Sequence, residues 1–163
     1  KYRNTAMRDL EIITSAKVMA YEELDAPVRE LVDAARAATA GSYAPYSHFK
    51  VGAAIRLSNG SIVTGANQEN VAYPSGTCAE RSACYWAGAN APEETFEMIA
   101  VAAVGTDGLP CATPAAPCGA CRQALLEYEM RAGHDVPVIL AGASEIYCLP
   151  SVKSLLPFAF TEF

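Results

Sequence analysis

The alternation of apolar and polar residues predicts helices and strands along most of the chain. In residues 25–39, apolar residues recur at the spacing of an α-helix that has one buried face. Asp25 precedes this run as a cap, Pro27 suits the first turn, and Gly41 can end the helix. The run is therefore predicted to be the first long helix.

A β-hairpin is predicted next. Two β-prone runs, "FKVGAAIRL" and "SIVTGAN", flank the tripeptide "SNG" at 58–60. Asn-Gly between two such runs is a strong hairpin signal, because both residues tolerate the turn conformation.

The second half of the chain alternates in the same way. The pattern predicts helices at 78–89 and 118–130, strands at 98–104 and 136–142, a loop at 105–117 and a short helix at 151–157. Helices that alternate with strands indicate one sheet covered by helices.

Length and composition indicate a single domain with a full core. The chain has 163 residues, of which 52% are hydrophobic and 18% are charged. We assign residues 25–163 to this domain and residues 1–24 to an N-terminal arm or an extra helix. No apolar run reaches the length of a membrane span, and charges interrupt the N-terminus where a signal peptide is apolar. A cytoplasmic protein that does not bind membranes is expected.

The charge balance disfavours a polymeric nucleic acid as partner. The formal net charge is −6, and there are only 12 Lys and Arg residues with no basic run. Proteins bind nucleic acids largely by neutralising phosphates. A small neutral ligand is more compatible with this chain.

The cysteines suggest a metal site. There are six, and metal binding is the better interpretation than disulfides for a chain with no sign of secretion. Cys118 and Cys121 form C-x-x-C, and on a helix both sulfurs face the same way. Cys78 also stands at a predicted helix start, where the helix dipole favours a thiolate. Zinc suits three such ligands.

A structural zinc site is the alternative, and it needs a fourth protein ligand. Cys84, Cys111 or His134 could supply one, although none has a spacing that indicates it. Glu80 favours a catalytic site instead, because it follows Cys78 by two residues and can face an open coordination position.

These motifs resemble those of the small homotetrameric zinc-dependent cytidine deaminases. The resemblance rests on "CAER" and "PCGACRQ", with "YAPYSHFKVGAA", "GANQENVAYPSGTCAER" and "LLPFAF" elsewhere, and it covers roughly residues 25–160. It implies a three-layer α/β/α sandwich with one mixed sheet, one Zn²⁺ per subunit and a homotetramer. In that chemistry Glu80 takes the proton of the attacking water and delivers it to the pyrimidine ring.

The resemblance also implies roles for further residues. Arg81 is expected to donate to a ligand sulfur, which offsets the net negative charge of three thiolates on one zinc. Gln123 is expected beside the thiolates, with a helix-surface position as the alternative. The expected substrate-binding residues are Phe49, Asn67, Glu69, Tyr73, Ala79 and Phe160, of which Tyr73 and Phe160 serve a neighbouring subunit's site. For Phe49, Tyr73 and Phe160, simple packing is the alternative.

The sequence therefore predicts hydrolytic deamination of free cytidine and 2′-deoxycytidine in pyrimidine salvage. Two alternatives keep the chemistry and change the substrate, to an aminonucleoside such as blasticidin S or to a base within RNA or DNA. A third alternative is a non-catalytic protein with a structural zinc.

Overall fold

The computed structural model describes residues 7–162 of the chain. Its strands are β1 (Lys17–Met19), β2 (Lys50–Leu57), β3 (Ile62–Ala66), β4 (Phe96–Val104), β5 (Val138–Ala141) and β6 (Ile146–Leu149). Its α-helices are α1 (Ala26–Ala38), α2 (Ala79–Asn90) and α3 (Gly119–Ala132). The strands form one sheet in the order β1-β6-β5-β4-β2-β3. The sheet is mixed, because β4 and β5 are parallel and the other neighbours are antiparallel.

The helices cover both faces of this sheet. Helix α1 packs on one face against alanines of the central strands, such as Ala54 and Ala100. Helices α2 and α3 pack on the other face against larger residues of the same strands, such as Ile55 and Val101. Successive side chains of a strand point to opposite faces, so each strand contributes to both cores. The predicted α/β/α sandwich with one mixed sheet is confirmed.

A close approach at Gly65 fixes helix α2 on the sheet. A Cβ atom at this position would lie 2.5 Å from the backbone nitrogen of Ala83 and 2.6 Å from the carbonyl oxygen of Ala79. Only glycine allows this contact, because any side chain would overlap the helix backbone. The start of α2 is thereby held directly above β3.

The predicted elements are present with small shifts of their ends. The three long helices, the hairpin and the strands at 98–104 and 136–142 are confirmed. The short helix predicted at 151–157 is a 3₁₀-helix, Val152–Leu155.

Two strands were not predicted, and both lie at one end of the sheet. β6 follows β5 closely, and β1 pairs with β6 as the edge strand. Within the predicted arm or extra helix, residues 7–16 form neither helix nor strand, and the 3₁₀ turn Tyr21–Glu23 follows β1. Residues 1–6 lie outside the described part, and the boundary at residues 24 and 25 stays a prediction.

Within residues 7–162, none of the helices has the length and apolar character that crossing a membrane requires.

Candidate metal centre and active site

Two helix N-termini bring three thiols together. Cys78 is the residue before α2, Cys118 is the residue before α3, and Cys121 lies in the first turn of α3. The Sγ atoms of Cys78 and Cys118 are 3.8 Å apart, and those of Cys118 and Cys121 are 3.5 Å apart. All three sulfurs lie within 4.8 Å of one another. The ligand set predicted from the spacing therefore forms one cluster.

The cluster fits tetrahedral zinc. Zinc–thiolate bonds of about 2.3 Å in a tetrahedron place the sulfurs roughly 3.8 Å apart, close to the observed distances. Within residues 7–162, the group that could hold a metal consists of these three cysteines. The alternative fourth ligands Cys84, Cys111 and His134 lie outside this group. The Cys84 thiol donates to the carbonyl of Arg81, and His134 is 3.1 Å from Glu97. Three ligands leave one coordination position for water, as in catalytic sites.

The electrostatics of the cluster favour thiolate at Cys78. The pKa of Cys78 is lowered to about 5, first by the hydrogen bond from Cys121 and then by the one from Arg81. The pKa of Cys121 is raised, first because it donates to Cys78 and then because it is buried. A thiolate already present at Cys78 is the form that binds a metal ion.

Glu80 lies in the first turn of α2, beside the cluster. It is only 4% exposed, although glutamate is rarely buried. Burial is the largest cause that raises its pKa, and the negative charge of Cys78 raises it further. A carboxyl group whose pKa is raised is suited to accept and return a proton near neutral pH.

Arg81 makes the contact that the sequence predicted. Its Nη2 atom is 3.7 Å from the Sγ atom of Cys78. Hydrogen bonds with Cys78 and Cys121 raise the pKa of the guanidinium, so it stays charged beside the thiolates. Its effect on the reactivity of the centre stays a prediction.

A cavity of about 620 Å³ opens above the cluster. Five of the predicted residues line it besides two of the ligands and Arg81: Phe49, Asn67, Glu69, Tyr73 and Glu80. The cavity is large enough for a nucleoside, because small-molecule sites usually measure roughly 300–1,000 Å³.

The two polar residues that follow β3 are held by the start of β2 and the loop before it. The Asn67 side chain accepts from the backbone N–H of Val51 (2.8 Å) and donates to the carbonyl of Phe49 (2.9 Å). The Glu69 carboxylate accepts from the backbone N–H groups of Tyr46 (2.9 Å) and Ser47 (3.2 Å). Hydrogen bonding, chiefly from Ser47, lowers the pKa of Glu69. Glu69 therefore presents an ionised carboxylate at the cavity.

Besides the buried ligand Cys121, three predicted residues do not line the cavity. The side chain of Ala79 is fully buried in the core under α2. Gln123 makes hydrogen bonds with the backbone of Phe160, donating to its carbonyl (2.8 Å) and accepting from its N–H (3.4 Å). Phe160 itself is 67% exposed. In the single chain these residues make no contact with the cavity, so their roles toward substrate or thiolates stay predictions.

Other lining residues were missed by sequence reasoning. They include Tyr46, Ser47, Thr77, Ala115 and Ala116. The two alanines belong to the predicted loop 105–117, and nothing in their side chains indicates a site. Tyr46 and Ser47 lie in the motif "YAPYSHFKVGAA". The Pro and Tyr content of this motif was the only sequence signal that could have indicated these two residues.

The family model for the cytidine and deoxycytidylate deaminase zinc-binding region matches residues 27–133. The chain belongs to this deaminase family. A cytidine deaminase from Halalkalibacterium halodurans is 38% identical over 131 residues, which are 80% of this chain and 92% of that protein. One from Sporosarcina psychrophila is 37% identical over 135 residues, which are 83% of this chain and 92% of that protein.

Solved structures of cytidine deaminases are similar to this chain in fold and sequence. The structure from Burkholderia pseudomallei has a TM-score of 0.69 and 39% identity, covering 80% of this chain and 97% of that one. The structure from Mycobacterium tuberculosis has a TM-score of 0.62 and 33% identity, covering 85% of this chain and all of that one. Family membership and the three-thiol cluster together identify zinc as the metal and the chain as a zinc-dependent deaminase, a hydrolase.

Proposed function

We propose that this protein hydrolyses free cytidine and 2′-deoxycytidine to uridine and 2′-deoxyuridine with release of ammonia, as a step of pyrimidine salvage. The observation that carries the proposal is the buried Glu80 beside the three-thiol cluster at the cavity. Relatives of similar length that carry the name cytidine deaminase support the choice of base.

The residues around the cluster have different roles in the proposed reaction. Cys78, Cys118 and Cys121 hold the zinc, which supplies a Lewis acid that makes a water more acidic. Glu80 accepts the proton of the water that adds to C4 of the ring. It delivers this proton to ring N3. It then transfers the proton of the new C4 hydroxyl to the amino group, so that the C4–N bond breaks and ammonia leaves. Arg81 stays bonded to the sulfur of Cys78 and offsets the negative charge of the thiolates.

The cavity favours a free nucleoside over a nucleotide or a polymer. Among the described residues that line it, Arg81 is the only Lys or Arg, and it is bonded to Cys78. A phosphate would have no free cation there, and the Glu69 carboxylate would repel it. The same carboxylate can accept hydrogen bonds from the hydroxyl groups of a sugar. Asn67 keeps one amide hydrogen for the same purpose, and the ring of Phe49 can stack on the base.

We further propose a cytoplasmic homotetramer in which Phe160 and Tyr73 complete a neighbouring site. Both aromatic side chains are exposed in the single chain, at 67% and 80% respectively. Large exposed aromatic residues are typical of protein interfaces. The cytoplasmic location is supported by the six free cysteines, since thiolate ligands must stay reduced.

The direct test is a substrate panel followed by ultraviolet absorbance. Loss of cytidine and deoxycytidine absorbance with production of one ammonia per turnover is expected. Blasticidin S, cytidine monophosphate and a single-stranded oligonucleotide should be turned over much more slowly. Faster turnover of any of these would reassign the substrate. A protein that contains zinc and turns over none of them would indicate a structural metal site.

A further inference from the structure

The C-terminal segment, residues 151–160, runs back along helix α3 toward the metal ligands. Near its end, the backbone of Phe160 makes hydrogen bonds with the side chain of Gln123. Midway, the carbonyl of Leu155 accepts a hydrogen bond of 2.9 Å from Nη1 of Arg122. Arg122 also donates to the carbonyl of Pro117 through Nε, at 2.8 Å. The segment is thus tied to the turn that carries Cys118 and Cys121.

The beginning of the segment is tied to a buried carboxylate farther along α3. Glu129 is only 2% exposed. Its Oε2 atom accepts from the backbone N–H groups of Val152 (2.7 Å) and Val136 (2.9 Å). The hydroxyl of Ser151 lies 2.8 Å from Oε1 and 2.9 Å from Oε2, and the N–H of Lys153 lies 3.3 Å from Oε1. One carboxylate therefore fixes the start of the 3₁₀-helix Val152–Leu155 and the chain before β5.

We propose that Glu129 is a positioning residue for the active site: it anchors the C-terminal segment so that this segment holds the metal-bearing turn of α3 and presents Phe160. The part that concerns Phe160 and substrate rests on the proposed function. The part that concerns the turn of α3 rests on the contacts of Arg122 and Gln123 alone.

A carboxylate can accept from every group around this site. All the groups around it are donors: three backbone N–H groups, one hydroxyl and, at 3.9 Å, the ammonium of Lys153. Glutamine has almost the same shape, but its NH₂ group could accept none of these bonds and would find only the Ser151 hydroxyl as an acceptor. The substitution Glu129→Gln therefore leaves a buried N–H group unsatisfied, which is costly in a protein interior.

The first measurement is amide hydrogen exchange of the zinc-loaded protein without substrate. In Glu129→Gln, exchange of the amides at 152–156 should speed up by about 10- to 100-fold, which corresponds to losing a hydrogen bond to a charged group. Exchange of the amides at 119–123 should rise as well, because the segment no longer holds this turn. The matched control is Glu127→Gln, which makes the same charge change at an exposed position of the same helix and should leave both regions unchanged.

The second measurement separates positioning from general stability. In Glu129→Gln, the KM for cytidine should rise several-fold while kcat changes little and zinc content is retained. Ser151→Ala removes one donor to the same carboxylate and should give a smaller change in the same direction. It serves as the test variant if Glu129→Gln does not fold.

The outcomes can be told apart. Unchanged exchange at 152–156 in both variants would overturn the anchor. Faster exchange there, with normal exchange at 119–123 and a normal KM, would reduce Glu129 to a local stabilising residue. A wild-type protein that does not deaminate cytidine would overturn the proposed function, and exchange at 119–123 would still decide the role of Glu129.

Discussion

Glu80 is buried and yet accessible to a ligand, a combination that an ordinary surface glutamate does not have. It is buried and beside the negative charge of Cys78, and both conditions raise its pKa. It also lines a cavity, so a ligand can reach it. A buried acid with a raised pKa that lines a cavity is typical of a group that transfers protons.

Replacing Glu80 with glutamine should abolish most of the activity. The side chain keeps its size but can no longer accept a proton, and a positioned acid–base group contributes roughly 10²- to 10⁴-fold. The rate of cytidine deamination under saturating conditions measures the loss. Zinc content should stay at one per chain, because Glu80 is not a ligand. The exposed Glu93→Gln is the matched control, and near-normal turnover in Glu80→Gln would remove this residue from the mechanism.

The thiol cluster gives a second prediction. Cys118→Ala should lose most of the bound zinc, because two thiolates and water hold the ion far less tightly than three thiolates. Metal analysis of the purified protein measures this. Cys111→Ala is the control. Because Cys111 lies outside the cluster, this variant should keep its zinc. Full zinc content in Cys118→Ala would mean that the ligand set is wrong.

At the residue scale, the sequence was most informative where chemistry depends on local spacing. The spacing of Cys118 and Cys121, and that of Cys78 and Glu80, predicts that the side chains of each pair lie close together, because each pair lies within about one helical turn. The partner of Gln123 could not be predicted in this way. It depends on where a segment 37 residues later returns to the helix.

At the scale of elements, the sheet positions the active-site helix through Gly65. The N-terminus of α2 rests on this residue with no space for a side chain. Displacement of α2 would move Cys78 and Glu80 together, because both lie at its start.

Gly65→Ala should therefore lower both stability and activity. Overpacking of this kind costs about 1–3 kcal/mol in the free energy of unfolding. Denaturant unfolding measures the stability, and the activity should fall in the fraction that remains folded. Gly119→Ala is the control, because a Cβ atom there would meet no atom within 4 Å. Equal stability of Gly65→Ala and the wild type would show that α2 can shift freely.

Elements with strong periodicity or a continuous apolar run were predictable, whereas two short strands were not. The three helices have 12 to 14 residues each and bury one face, so their pattern is visible in the sequence. β6 has four residues and β1 has three, and both exist because they pair with a neighbour. Pairing with a strand that is more than a hundred residues away leaves no local signal, so the sheet order had to come from the structure.

At the scale of the whole molecule, exposed aromatic side chains near the cavity predict association. We expect light scattering to give four times the 17.2 kDa mass of the chain. Phe160→Ala should raise the KM for cytidine, because it truncates the residue that we propose to complete the neighbouring site, while zinc content is unchanged. Phe158→Ala is the matched control, because Phe158 is also an exposed aromatic residue and lies two residues away. A fully active monomer would contradict the assembly.

The three thiols belong to two separate helices, and this has a consequence for how the protein survives in a cell. A metal ion that joins α2 to α3 is a cross-link between regions 40 residues apart in the chain, so the energy of metal binding adds to the energy of folding. Ligand that binds only the native state adds about 2.7 kcal/mol at 100 times its dissociation constant. The melting temperature should therefore rise with the free zinc concentration in calorimetry, and a chelator should lower it. In cells short of zinc, the enzyme would then lose its activity, and its amount would also fall because the less stable chain is degraded by proteases.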